Sequence, residues 1–229
     1  MHFVYDRVVS EQSRIASGRT DRRALLLSVG RTLFERNGYR GVSVEQVTRR
    51  AGLSAGTFYN YFSGKEAFYS SVLDEIEAEG IRKANQIVQR LHSPMNKLRA
   101  LYRFITLGLR QNPILKGIFL GKAEYRFPGA TERSARRDGL RPHLERMVDE
   151  IIREGTRKGV FRASLYHNTT AMVTAVFDAV ILHVEDDNAE ELFADLLTFL
   201  QRGLRRALHL RRRDERRDRR LLGEASDWI

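Results

Sequence analysis

No cysteine occurs in the 229 residues, and there are only four prolines and one tryptophan. Without thiols there can be no disulfide framework, no thiolate zinc site, no iron–sulfur cluster and no cysteine nucleophile. Long hydrophobic runs are missing too. The longest, VTAVFDAVILHV from Val173 to Val184, is too short to span a bilayer and carries Asp178. The opening MHFVYDRVVSEQSR holds no apolar stretch of signal-peptide length, so a cytoplasmic protein without a membrane partner is expected. No alternating apolar pattern persists between turns, so strands are not expected. The six histidines show no pair at metal spacing, and no metal or other cofactor is expected. GIFLGK, from Gly117 to Lys122, falls short of a phosphate loop: three residues rather than four separate its glycines, and Ala123 stands where Ser or Thr should. Neither a nucleophile elbow nor a dinucleotide fingerprint occurs. These absences point away from an enzyme.

Apolar residues are plentiful at 42%, enough for a real core. The net charge of +11 is unevenly placed. Residues 19–66 hold nine basic and four acidic side chains, and residues 205–220 hold nine arginines and three acids. The long middle is nearly balanced. A localised basic block is the electrostatic footprint of a polyanion partner.

Helical spacing dominates. Thr20 can cap a helix starting at Asp21, with Leu26, Val29, Leu33 and Phe34 on its inner face and Asn37–Gly38 as a left-handed stop. Ser43 can cap a second, short helix, with Gln46 placed to complete a capping box, ending at Ala51–Gly52. Ser54 caps a third from Ala55 to about Tyr61, and Ser63 a fourth from Lys65–Glu66 to about Leu91. Longer helices follow near 94–110, 113–121, 132–158, 166–185 and 189–209. Breaks fall at Ser93–Pro94, Asn112–Pro113, Phe127–Pro128–Gly129 and Gly159. The expected fold is all-α with about nine helices. It divides into an arm (1–20), a helix-turn-helix head (21–66), a helical body (67–209) and a basic tail (210–229).

Short helix, glycine turn, second short helix is the pattern of a helix-turn-helix. Val44, Val47, Ala51, Leu53, Phe58 and Phe62 can close a core with the first helix. Thr57, Tyr59, Asn60 and Tyr61 then stay outside, with Lys65 just beyond. Duplex DNA needs such a surface: amides and hydroxyls for base edges, hydroxyls and ammonium groups for phosphates. Helix N-termini at Ser43 and Ser54 can also face phosphates.

The stretch GVSVEQVTRRAGLSAGTFYNYFSGKEAFY resembles the DNA-binding domain of TetR/AcrR-family transcriptional regulators, closely over residues 21–69. The resemblance implies that Ser43 caps and touches phosphate, that Thr57 and Lys65 contact phosphate, that Tyr59 and Asn60 face the groove and that Tyr61 touches backbone. Ala55 and Gly56 open the recognition helix with little to read bases, so Arg49 or the arm (Arg19, Arg22, Arg23) would assist. It also implies a homodimer on an inverted-repeat DNA operator, with the last two long helices forming a four-helix bundle across the two-fold axis. Those helices are apolar on more than one face: Met172, Val176 and Ala179 against Val173, Phe177, Val180 and Val184; Leu192, Leu196 and Phe199 against Phe193, Leu197, Leu200 and Leu204. Finally it implies a cavity in the body for a small-molecule effector. Candidate walls and anchors are Phe104, Phe119, Tyr125, His143, Met147, Phe177 and Asp178, beside Tyr102, Phe127, Ile151, Asn112 and Glu124. A buried Asp178 needs a partner: a ligand amine, a water, or an arginine such as Arg103 or Arg110. The function so implied is a ligand-responsive regulator, most often a repressor. Its rivals are an effector-independent DNA-binding or DNA-organising protein, and a helical enzyme or carrier with an incidental basic head.

Overall fold

A computed structural model describes residues 21–129, 139–161, 168–183 and 189–204. The Thr20 cap, Arg19, Val184 and the basic tail lie outside them. Nine α-helices stand among the described residues, with no strand. They are α1 (21–37), α2 (Val44–Ala51), α3 (Ala55–Tyr59), α4 (Lys65–Arg90), α5 (Pro94–Gln111), α6 (Pro113–Phe119), α7 (Leu140–Arg157), α8 (Thr169–Leu182) and α9 (Ala189–Leu204). A 3-10 turn, Ala123–Tyr125, follows α6. None of the described helices is long and apolar enough to cross a membrane.

The chain divides into two compact units. The first takes Met1–Ile76 and Gly117–Glu132, the second Glu77–Lys116 and Arg133–Ile229.

Aromatic rings fill the first unit. Phe34, Phe58, Phe68 and Tyr69 are fully buried. Phe68 stands 5.7 Å from Phe34, 5.1 Å from Phe58 and 4.8 Å from Phe62, the last two edge-on. Such pairs add roughly 0.5–1.5 kcal/mol each beyond the area they bury. Leu26, Leu27 and Val47 complete the packing, while Val29, Leu33, Val44 and Leu53 are only half-buried. Gly30 on α1 lets the Phe68 ring approach the helix backbone, and an added methyl there would collide with that ring. Alanine suits a helix better than glycine by about 1 kcal/mol. Overpacking a closed core costs about 1–3 kcal/mol and outweighs that gain here. Gly30→Ala is therefore expected to lower the melting temperature. Gly108→Ala, on α5 with open space around it, should raise it. A thermal melt of both variants checks the pair of signs.

In the second unit α5, α7, α8 and α9 enclose Met95, Leu98, Leu101, Tyr102, Met147, Val148, Ile151, Val173, Phe177 and Leu196. One ionic staple joins α5 to the end of α7. Lys97 and Lys158 each donate to the Glu154 carboxylate at 2.6 Å, and Lys158 also reaches the His92 carbonyl at 3.1 Å. Burial alone would raise the Glu154 pKa, but hydrogen bonds and charge from the two lysines outweigh it and hold it below the usual carboxylate value. A folded pKa lowered in this way gives stability that is present above the unfolded value. That stability is lost as pH falls through the folded one. Glu154→Gln should thus melt a few degrees below wild type at pH 7, with the gap narrowing as pH falls below the ordinary glutamate value and closing only below the lowered folded one, where both carry an uncharged side chain. Melting curves from pH 3 to 7 test it, and a gap of constant size would refute the linkage.

Candidate nucleic-acid interface

Local chemistry shapes the head. Ser43 Oγ accepts the Gln46 N–H (3.3 Å), and Gln46 Oε1 accepts the Ser43 N–H (2.8 Å), a complete capping box. Helix α2 ends at Gly52, whose φ of 66° few other residues adopt cheaply. The chain then turns, and the Leu53 N–H bonds back to the Thr48 carbonyl at 2.9 Å. Ser54 opens α3: its Oγ accepts the Thr57 N–H (3.1 Å) and lies 2.9 Å from the Thr57 hydroxyl.

Helix α3 ends at Tyr59, two residues short of the sequence expectation. Asn60 closes it in helical geometry and Tyr61 lies in the turn beyond. Phe58 (0% exposed) and Phe62 (4%) anchor the segment from below. Between these anchors the other three side chains point out. Tyr59 is 58% exposed with its ring edge-on to Phe58, Asn60 is exposed, and Tyr61 is half-buried beside Phe62. Five polar side chains of the expected DNA set, Ser54, Thr57, Tyr59, Asn60 and Tyr61, thus lie within eight positions, after Ser43 at the head of α2.

Lys65 differs from a free phosphate-seeking lysine. Its Nζ donates to the Val42 carbonyl (3.0 Å) and sits 4.3 Å over the Tyr39 ring. An ammonium has three donors, so two remain for a phosphate. Arg22, Arg40, Arg49 and Arg50 are exposed on the same unit. Arg23 lies 3.9 Å from Glu75 and over the Phe62 ring.

Sequence reasoning missed a further part of this unit. The Glu124 carbonyl accepts N–H bonds from Tyr39 (2.7 Å) and Arg40 (3.4 Å) in the α1–α2 turn. The Tyr125 hydroxyl donates to the Glu35 carbonyl (3.3 Å), and Phe127 packs on Tyr39 and Tyr69. Gly38, with φ of 66°, is the close approach: an added Cβ would stand 2.6 Å from the Glu124 oxygen. A backbone carbonyl carries no residue signature, so spacing could not reveal this clamp.

The residues expected to line one effector cavity are not all brought together. Phe119 and Tyr125 belong to the first unit. Met147 and Phe177 are buried in the second unit's core, with Phe104 packed against them. His143 Nε2 lies 3.5 Å from Asn85 Oδ1. Asn112 caps α6, accepting the Leu115 N–H at 2.9 Å. Asp178 is not deeply buried, and its partner is neither Arg103 nor Arg110. Arg141 on α7 donates to it at 2.5 Å, because α7 rather than α5 flanks that side of α8. Asp178 borders an open groove of about 920 Å3 between α7 and α8, whose other walls include Glu145, Asp149, Arg153 and Thr174.

Residues 26–72 match the family described as bacterial regulatory proteins, tetR family. Over 189 residues the chain is 26% identical to the HTH-type transcriptional repressor DhaR of Mycobacterium sp. strain GP1, covering 79% of this chain and 90% of that one. It is 22% identical to the nucleoid occlusion factor SlmA of Shewanella loihica, covering 82% and 98%. The fold resembles that of the transcriptional regulator FadR from Bacillus subtilis in complex with stearoyl-CoA, with a TM-score of 0.62, 19% identity and coverage of 79% and 98%. The helix-turn-helix geometry and the match across the head agree: residues 26–72 form a DNA-binding head of the kind found in the tetR family of bacterial regulatory proteins, and the fold over most of the chain resembles that of TetR-family transcriptional regulators.

Proposed function

We propose that the protein is a cytoplasmic, homodimeric repressor that binds an inverted-repeat operator and leaves it when a small hydrophobic or amphipathic effector occupies the body. The observation that carries the reading is the trio Tyr59, Asn60 and Tyr61, directed outward between the buried anchors Phe58 and Phe62. In this reading the head spans 21–66, the body 67–209 and the tail 210–229. Asn60 pairs with a base edge, Tyr59 enters the groove, and Ser43, Ser54, Thr57, Tyr61 and Lys65 hold the backbone. The protein acts by binding and not by catalysis. The effector must prefer the head spacing that the operator does not, since a ligand with equal affinity for both states shifts nothing. That FadR binds an acyl-CoA in the same fold supports an effector here.

Selection of bound duplexes from a random pool, at near-physiological salt, tests the reading. An inverted repeat with half-sites about one DNA turn apart is the expected product. Asn60→Ala should relax the preference at one position per half-site. An unchanged logo removes Asn60 from base readout, and a pool with no enrichment defeats the operator reading. The likeness to SlmA supports a second reading, a DNA-organising protein without an effector. Under that reading the repeat is still enriched, but no small molecule releases it.

A further inference from the structure

Two hydroxyls lie beneath the α7–α8 groove without being satisfied. Tyr102, on α5, is 3% exposed. Its Oη and the Thr174 Oγ1 are both buried and lie beside one another, and beyond that mutual approach neither has a partner among the described residues. Thr174 belongs to the groove wall, as does Asp178 one turn further along α8. Leaving such hydroxyls unpaired is costly, and a group that can both donate and accept relieves the cost.

The charges around the groove restrict what that group can be. Arg141 is held by Glu145 (3.2 Å) and by Asp178 (2.5 Å), and Arg153 by Asp149 (2.6 Å). Thr170 donates to the same Asp149 at 2.9 Å. An anion would have to displace carboxylates from arginines already paired, and a cation would have to compete with those arginines. A neutral group meets neither obstacle. Ile152, Ala171 and Ala175 supply apolar wall for the rest of the molecule. Burial, aided by the nearby Asp178 charge, pushes the Tyr102 phenol well above its ordinary value, so it keeps its proton and remains a donor.

Resting on the effector reading above, we infer that this groove binds a neutral, hydroxyl-bearing ligand, with the ligand hydroxyl donating to Asp178 and accepting from the Tyr102–Thr174 pair. A phenol fits best, because its O–H is a stronger donor to a carboxylate than an alcohol's.

Calorimetric titration of the full chain tests the site with resorcinol and naringenin, each beside its fully methylated ether. At least one phenol binds, and its ether binds tenfold or more weakly, since a hydrogen bond to a charged group is lost. Tyr102→Phe and Asp178→Asn each weaken that phenol by a similar factor. Tyr102→Phe melts close to wild type, because it removes a buried hydroxyl whose one polar neighbour is the Thr174 hydroxyl. A variant that lost affinity only because its fold failed would melt lower. Ethers that bind as well as phenols overturn the inference, as does a Tyr102→Phe variant with wild-type affinity. Failure of both phenols to bind at millimolar concentration overturns it too. Operator binding by the ligand-free protein, measured on the same preparation, keeps the two readings separate. If it is present without phenol binding, the regulator stands and this site falls. If it is absent, the operator reading itself fails.

Discussion

Phe58→Ala should abolish operator binding, weakening it by a hundredfold or more, while most of the helical signal survives. Helix α3 has five residues, far below the roughly 12–15 at which an isolated helix becomes even marginal in water. What holds it is one cap at Ser54 and two aromatic anchors. Phe58 is the deeper anchor: it is completely buried, and its ring meets Tyr59 at 5.4 Å, Phe62 at 5.4 Å and Phe68 at 5.1 Å. Truncating such a phenylalanine costs about 3–5 kcal/mol. A domain's whole stability is about 5–15 kcal/mol. The loss therefore falls on the element that presents Tyr59 and Asn60. The second unit keeps its own core, so circular dichroism should show a modest fall in helix and an early, partial transition on heating. Tyr59→Ala is the contrasting control. Its side chain is mostly in solvent, so stability should move by no more than about 0.5 kcal/mol, and any loss of affinity reports on DNA contact. Wild-type operator affinity in Phe58→Ala would show that α3 does not depend on its anchor.

The parts of this molecule that the sequence makes legible are those decided within a few residues. The capping box at Ser43 and Gln46, the left-handed Gly52 and the Ser54 cap are each local chemistry, and each stands where spacing puts it. The helix order and the all-α class follow from periodicity in the same way. What periodicity does not encode is which helix lies beside which. Asp178 shows this: its charge within an apolar run demanded a partner, but Arg141 lies 37 positions away on α7, a neighbour that only packing selects. The head core is a milder case. Leu27, Phe68 and Tyr69 are fully buried although Leu33 and Val29 fit the helical stripe better, because Phe68 and Tyr69 of α4 close on Phe34 of α1 and Phe127 closes on Tyr69, contacts that no stripe records. Lys65 kept the place that spacing gave it, but its bond to the Val42 carbonyl ties it to the head as well, so its removal would cost stability together with any phosphate contact.

The second large effect concerns the body. Met172 on α8 is 54% exposed and Phe199 on α9 is 65% exposed, while Val173, Phe177 and Leu196 on the same helices are buried within the chain. Each helix thus has one apolar face satisfied at home and a large apolar side chain left in water. Burying a side chain of this size stabilises an interface by about 1.5–3 kcal/mol. A two-fold interface uses every such residue twice, so the pair acts as four. Replacing both by glutamate, Met172→Glu with Phe199→Glu, would place four carboxylates in that interface without partners, at a cost well beyond the burial lost. The single chain should fold as before, since neither residue belongs to its core. Sedimentation should then give one chain per particle at micromolar concentration, against two for wild type. Operator affinity should fall by two orders of magnitude or more, because each head would bind its half-site alone. A double variant that still sediments as two chains would move the two-fold axis to another face. A monomer that binds the operator as tightly as wild type would mean that the heads never acted as a pair.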